Sequence, residues 1–377
     1  MASCSKVYSA WLKRDMRMSG NYNISLKFIE TCVKYSENLF YSDRSASLTY
    51  GEMHTIVAKL AGFISQGNNL KKVGILGTKS PEAYAGILAA GYAGATYVPL
   101  NLKWTELRIV QLLEALQLDA LIVDKQGLAL LTPAVLSAAP DIIIVPSDKD
   151  ILPARPAQTI TEFLSIKTDQ LAEPAFVSRQ DLAYIIFTSG TTGLPKGVMI
   201  SAGALESYIE QTRLWTQFIP QDRLAETCDI TFDLSVHNLF LCVDAGASLH
   251  ILSSLEMLAP SRFIRERSIT VWMSVPTLAA MMRKSGALKP DSLPTLRSSV
   301  FCGEPLPAVT VEAWSKAAPD STIDNIYGPT EGTVICLRHR VQSDPVITPG
   351  REVKILLIFI GNQIAAMARL HINFIRA

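Results

Sequence analysis

Between Tyr184 and Gly197 the chain reads Tyr-Ile-Ile-Phe-Thr-Ser-Gly-Thr-Thr-Gly-Leu-Pro-Lys-Gly. Four hydroxyl residues, Thr188, Ser189, Thr191 and Thr192, are interleaved with Gly190 and Gly193, and Pro195, Lys196 and Gly197 follow. This composition suits the cradling of an oligophosphate. Glycines let the main chain come close to a ligand, free N–H groups and hydroxyls supply donors, and a lysine adds a point charge. The plain alternative is a polar hairpin turn. The order Gly-Lys-Ser/Thr of the common phosphate loop is not met, because Pro195 precedes Lys196 and Gly197 follows it. P-loop kinases and GTPases are thereby excluded.

Three further phrases carry reactive or ligand-binding groups. Asn325-Ile326-Tyr327-Gly328-Pro329-Thr330-Glu331 places an aromatic ring and a carboxylate four residues apart across a Gly-Pro turn; alone, the phrase is a turn signal. Phe301-Cys302-Gly303-Glu304-Pro305 follows a strand-like run, where a glycine permits close backbone approach. Cys302 by itself also reads as a small buried hydrophobe. Phe232-Asp233-Leu234-Ser235-Val236 sets an aspartate among apolar residues. Such a carboxylate needs a partner if buried, or it is the N-cap of a helix starting at Leu234.

The elements that must position these groups alternate. Lys72–Leu76, Thr96–Leu100, Ala120–Val123 and Ile142–Val145 are short β-compatible runs, and Pro81–Ala90 and Thr105–Leu116 have helical character. A second alternating block runs from Asp181 to about Val341, with strands expected near Ala183–Phe187, Ser248–Leu252, Thr270–Ser274 and Ser299–Cys302. The pattern predicts an α/β fold with largely parallel sheets. The prolines and charges between Ser147 and Ala175 read as a connection. The expected division is 1–175, 176–345 and a divergent tail 346–377.

Bulk properties narrow the function classes. At 377 residues and 49% hydrophobic content the chain can bury a large core, as two domains or subdomains. A formal net charge of +1 argues against a nucleic-acid surface. Six cysteines without C-x-x-C spacing read as free thiols in a reducing compartment. No secretory signal and no stretch of membrane-spanning length is read. The expectation is a cytoplasmic protein with no nucleic-acid or membrane partner.

Together these phrases resemble the signatures of the adenylate-forming superfamily of acyl-CoA synthetases, luciferases and amino-acid adenylation domains. Leu48-Thr49-Tyr50-Gly51-Glu52 and Gly94-Ala95-Thr96-Tyr97-Val98-Pro99 are similar to its early motifs, read here as packing elements. The resemblance implies two layered α/β subdomains with ATP between them. It implies that Thr188, Ser189, Gly190, Thr191, Thr192, Gly193 and Lys196 embrace the ATP phosphates. Gly303, Glu304, Pro305, Asn325, Tyr327, Gly328 and Thr330 would line the nucleotide, and Glu331 would hold Mg²⁺. Thr188, Lys196 and Glu331 are the catalytic candidates.

The match of Phe-Asp-Leu-Ser-Val implies an amino acid substrate, with Asp233 on its α-ammonium group. By position, His237, Met273, Val300, Cys302, Ile326, Val334 and Ile335 would line its side-chain pocket, which suits a small or medium apolar side chain; ordinary core packing is the alternative for each. Phe301–Glu304, Phe232–Val236 and Val198–Ala202 look most like D-alanine–carrier protein ligases, and peptide-synthetase adenylation domains are close. The implied activity is ATP-dependent activation of an amino acid as its adenylate, for transfer to the thiol of a phosphopantetheinyl carrier protein. The alternatives are an acyl- or aryl-CoA ligase and a non-catalytic nucleotide-binding remnant. After Gly350 the resemblance stops. The ribose-gripping aspartate and the C-terminal lid domain with its lysine are not matched by residues 351–377, so an incomplete or inactive ligase is expected.

Overall fold

The computed structural model describes residues 20–65, 70–146, 153–166, 173–188 and 195–341 and the backbone of Leu356–Leu357. Two compact units divide it. One comprises the described parts of Met1–Phe40, Leu48–Glu206 and Asp229–Phe232, and the other those of Tyr41–Ser47, Ser207–Cys228 and Asp233–Ala377.

The first unit is built on a seven-stranded sheet in the order Thr159–Glu162, Ile142–Val145, Ala120–Val123, Lys72–Leu76, Thr96–Leu100, Leu182–Thr188, Lys196–Ser201. All pairs are parallel except the last, which is antiparallel. The apolar runs expected from the sequence form its centre, buried along nearly their whole length, as strands covered on both faces must be. Leu182–Thr188 and Lys196–Ser201 complete this sheet, so the first unit reaches Glu206 and not only residue 175. Thr159–Glu162 lies within the stretch read as a connection. Its run of Thr-Ile-Thr-Glu is too short and polar to signal a strand, yet it pairs with Ile142–Val145.

Local chemistry explains the helix ends. Thr49 and Glu52 form a reciprocal capping box at the start of Tyr50–Ile64. Ser80 caps Pro81–Tyr92, with proline in the first turn. That helix ends at Gly94, whose φ is +76°. The Gly94 and Ala95 N–H groups donate to Gly91 and Ala90, a Schellman closure that favours glycine, and the chain then enters Thr96–Leu100.

The second unit is built on the sheet with the order Leu356–Leu357, Leu337–Val341, Thr322–Tyr327, Ser298–Phe301, Val271–Ser274, Arg223–Glu226, Ser248–Ile251, Leu39–Ser42, Ser47–Thr49, of whose last two strands Tyr41–Ser42 and Ser47 belong to this unit. From Thr322–Tyr327 to Leu39–Ser42 the pairing is parallel, and Leu337–Val341 joins antiparallel. Trp272, Phe301 and Trp314 centre its core, with Phe301 edge-on to Trp314 at 5.1 Å. Both indoles are satisfied by serines, Trp272 through Ser274 at 3.0 Å and Trp314 through Ser299 at 2.8 Å. The predicted α/β class with largely parallel pairing holds in both units.

Candidate functional site

The second unit gathers most of the candidate residues by the geometry of a parallel sheet. Arg223–Glu226, Val271–Ser274, Ser298–Phe301 and Thr322–Tyr327 run parallel, so their carboxyl ends open on one edge, where ligands of α/β sheets bind. Met273, Cys302 and Tyr327 lie at those ends. Strand period then sorts the faces. Trp272, Phe301 and Ile323 enter the tryptophan core, which leaves Met273, Val300, Cys302 and Ile326 on the opposite face. Register pairs Met273 with Val300 and Val300 with Asp324. These pocket candidates therefore share one surface, and all four are buried.

Leu234–Ala245 carries the polar members. Asp233 is its N-cap residue, but the side chain makes no cap hydrogen bond, so the helix-cap alternative does not account for the carboxylate. Burial pushes its pKa up from 3.8 to about 6, opposed by hydrogen bonding from the Thr330 hydroxyl and from the Asp233 and Leu234 N–H groups, with the nearby Glu331 charge adding to the rise. The Oδ2 atom is buried without a hydrogen-bond partner. A desolvated anion with one oxygen unmet is costly, and a cationic donor would complement it. One turn on, His237 is fully buried, and its Nδ1 is 2.6 Å from the Tyr208 hydroxyl. Burial lowers its pKa to about 3, so the imidazole is neutral.

The turn after Thr322–Tyr327 presents the nucleotide candidates. Tyr327 is 42% exposed, and Glu331 is exposed beside it in a short 3₁₀ turn, Thr330–Gly332. A Cβ on Gly328 would stand 2.3 Å from the Val334 carbonyl oxygen and 2.7 Å from Ile335 Cα. Only glycine lets the turn fold back on the Val334–Ile335 backbone. Thr333 and Val334 have φ of +58° and +70°, unusual for a β-branched residue; strain of this kind costs about 1–3 kcal/mol and gathers at functional sites. Val334 and Ile335 are buried there and Asn325 is half-buried. Glu304, by contrast, accepts from the Thr277 N–H at 2.9 Å and from the Thr277 hydroxyl, which ties its carboxylate to the start of Pro276–Lys284. Gly303 and Pro305 flank it in the open.

In the first unit, Thr188 and Lys196 are cross-strand partners, so the register sets the two ends of the hydroxyl-rich loop side by side. Lys196 is exposed and Thr188 half-buried. Ser189, Gly190, Thr191, Thr192 and Gly193 lie outside the described residues, as does the tail apart from Leu356–Leu357.

Tyr208, Trp215, Phe218 and Arg338 also belong to the second unit's site, and the sequence reading missed them. The His237 ring lies 6.2 Å from Tyr208, 6.2 Å from Trp215 and 6.4 Å from Phe218, centroid to centroid. The Arg338 guanidinium covers Trp215 at 4.5 Å and bonds Asp324 through Nε at 2.7 Å. Tyr208, Thr212 and Trp215 follow i, i+4, i+7 spacing on Ala202–Thr216, a one-face pattern that could have flagged them. Among the described residues no cluster of three or more His, Cys, Asp or Glu could hold a metal. The five described cysteines are free thiols, and burial pushes the Cys302 thiol up to about 12, which makes it an apolar wall and not a nucleophile. No described helix is long and apolar enough to cross a membrane.

Residues 28–358 match the family described as AMP-binding enzyme. The chain is 32% identical over 308 residues to an L-proline–[L-prolyl-carrier protein] ligase of Streptomyces coelicolor, covering 80% of this chain and 58% of that protein. It is 27% identical over 359 residues to a D-alanine–D-alanyl carrier protein ligase of Bacillus licheniformis, covering 88% and 66%. Its structure is similar to the Vibrio cholerae adenylation domain AlmE in complex with glycyl-adenosine-5′-phosphate, with TM-score 0.75 and 32% identity over 84% of this chain and 61% of that one. The chain thus spans under two thirds of the length of each of these relatives.

Proposed function

From the premise that the chain belongs to the AMP-binding enzyme family, we propose that it activates an α-amino acid with ATP as the aminoacyl-adenylate. The observation that carries this reading is Asp233: a buried carboxylate, unused as a helix cap, with one oxygen unpartnered. A fatty or aryl acid has no ammonium to offer it, and burying its charge for such a substrate would be a loss.

Each group then has a task. Asp233 holds the ammonium and so orients the substrate carboxylate. One carboxylate oxygen forms a bond to the α-phosphorus of ATP, the bond to pyrophosphate breaks, and pyrophosphate leaves with its electron pair. Thr188 and Lys196, with the loop they bracket, hold the leaving phosphates, and positioning with charge neutralisation does most of the work in such a displacement. Tyr327 stacks on adenine. Exposed Glu331 fits Mg²⁺, which keeps several waters and borrows phosphate oxygens instead of needing a full protein cage; the ion would neutralise phosphate charge. The relatives' names place a carrier protein downstream for those proteins, and we assign the same class of acceptor thiol here. The work is assigned to the cytoplasm, in keeping with the free thiols.

Pyrophosphate exchange into ATP, run with amino acids, their des-amino analogues and fatty acids, tests the reading. Exchange with an amino acid but not its des-amino analogue is expected. Exchange with fatty acids alone would assign the chain to acyl-CoA ligases, and ATP binding without exchange by any acid would assign it a non-catalytic role.

A further inference from the structure

Among the buried polar atoms of the second unit without a hydrogen-bond partner are Asp233 Oδ2, His237 Nε2 and Trp215 Nε1. An unmet donor or acceptor is costly in a dry interior. Asp233 and His237 lie one turn apart on Leu234–Ala245, and the Trp215 ring lies against His237, an arrangement that points to groups supplied from outside. The α-ammonium accounts for Asp233, but the other two atoms are unused by that reading.

His237 stands four residues after Asp233 on Leu234–Ala245, so the two share a helix face. Its ring is 1% exposed and enclosed by Tyr208, Trp215 and Phe218. Nδ1 is taken by the Tyr208 hydroxyl. Whichever nitrogen carries the proton, Nε2 is left wanting: as N–H it needs an acceptor, as a lone pair a donor. Trp215 Nε1–H can only donate, and its ring lies under the Arg338 guanidinium at 4.5 Å and tilted at 36° to the imidazole. A hydroxyl has the capacities that both rings lack: it can accept from the indole N–H and can donate to or accept from the imidazole nitrogen. A methyl group satisfies neither.

We propose that His237 Nε2 and Trp215 Nε1 form a second polar recognition point, and that the amino acid held by Asp233 carries a side-chain hydroxyl. This rests on the assignment of Asp233 to the ammonium. It replaces the apolar side chain expected from the sequence: Met273, Val300, Cys302, Ile326 and Val334 supply wall, and the two nitrogens supply selection.

The test is calorimetric titration of the full chain with non-hydrolysable aminoacyl-sulfamoyl-adenosines in isosteric pairs, seryl against alanyl and threonyl against valyl. A site built for a hydroxyl rejects the analogue lacking it strongly, so at least about tenfold preference within one pair is expected. His237→Leu and, independently, Trp215→Phe should each shrink that ratio to about twofold or less in protein that melts cooperatively, and His237→Gln should restore part of it. Equal binding within both pairs by the unaltered chain would overturn the hydroxyl proposal and leave Asp233's role standing. Binding of none of the four would overturn both. A preference that survives both substitutions would show that other residues select the side chain.

Discussion

Thr330 donates its hydroxyl to the carboxyl of Asp233, joining two phrases that are remote in sequence and were read for different ligands. The turn proposed to hold the nucleotide and the carboxylate proposed to hold the ammonium are thus linked within the second unit. Glu331, next in the chain, adds its negative charge to the burial that raises the Asp233 pKa. In the proposed reading, an arriving ammonium would relieve both.

Asp233→Asn should stabilise the protein at pH 8 and abolish amino acid binding. The folded pKa of about 6 stands above the ordinary 3.8. Folding with the carboxylate ionised is therefore unfavourable above about pH 6, and the penalty fades as pH falls through 6 toward 3.8. The upper bound is about 3 kcal/mol. Melting curves should show the variant above the parent at pH 8 and level with it near pH 4. In the parent, amino acid affinity should hold above pH 6 and decline below it as the carboxyl protonates. A variant less stable at pH 8 would assign Asp233 a structural role.

Lys196→Ala and Thr188→Ala should weaken binding of Mg·ATP, each by about 1.5–3 kcal/mol, the range for hydrogen bonds to charged groups. Lys196 is exposed and Thr188 only half-buried, so melting temperatures should barely move. Calorimetry of the double variant checks this; unchanged ATP affinity in folded protein would leave the hairpin-turn reading.

Tyr327→Ala should weaken ATP but not inorganic tripolyphosphate, since an exposed ring at a strand end offers a face to a base and nothing to phosphate. Aromatic–base stacking is worth about 1–3 kcal/mol. Tyr327→Phe should bind ATP as the parent does. Competition between the two ligands reads the difference, and an equal loss for both would move Tyr327 out of the adenine site.

Asp324→Ala should destabilise the second unit by about 3 kcal/mol. Asp324 is wholly buried and takes Nε of Arg338 and of Arg340, both at 2.7 Å. Removing one partner of a buried pair leaves the other's charge uncompensated; Arg340 reaches solvent, which keeps the loss at the low end. Because Arg338 also covers Trp215, amino acid affinity should fall while ATP affinity holds. Denaturant unfolding and the two titrations separate these effects.

The amino-acid sequence by itself determined the fold class and the family, and it named the candidate residues on which the proposed function rests. Lys72–Leu76, Thr96–Leu100, Ala120–Val123 and Ile142–Val145 are apolar runs too regular for other use, and the capping box at Thr49 and Glu52 states its helix locally. Thr188–Lys196 and Tyr327–Glu331 stand out as candidates because phosphate and base binding would demand particular residue types at short spacing. What only the tertiary structure decided are relations between distant residues. Thr159–Glu162 is a strand only because Ile142–Val145 offers an edge to pair with. Glu304 spends its carboxylate on Thr277. Asp233 declines its cap, and Tyr208 and Trp215, with no motif of their own, meet His237. Burial and partner choice at these positions depend on packing across the chain, so the pKa of Asp233 and the unmet nitrogens of the pocket appear only once the sheet and its helices are in place.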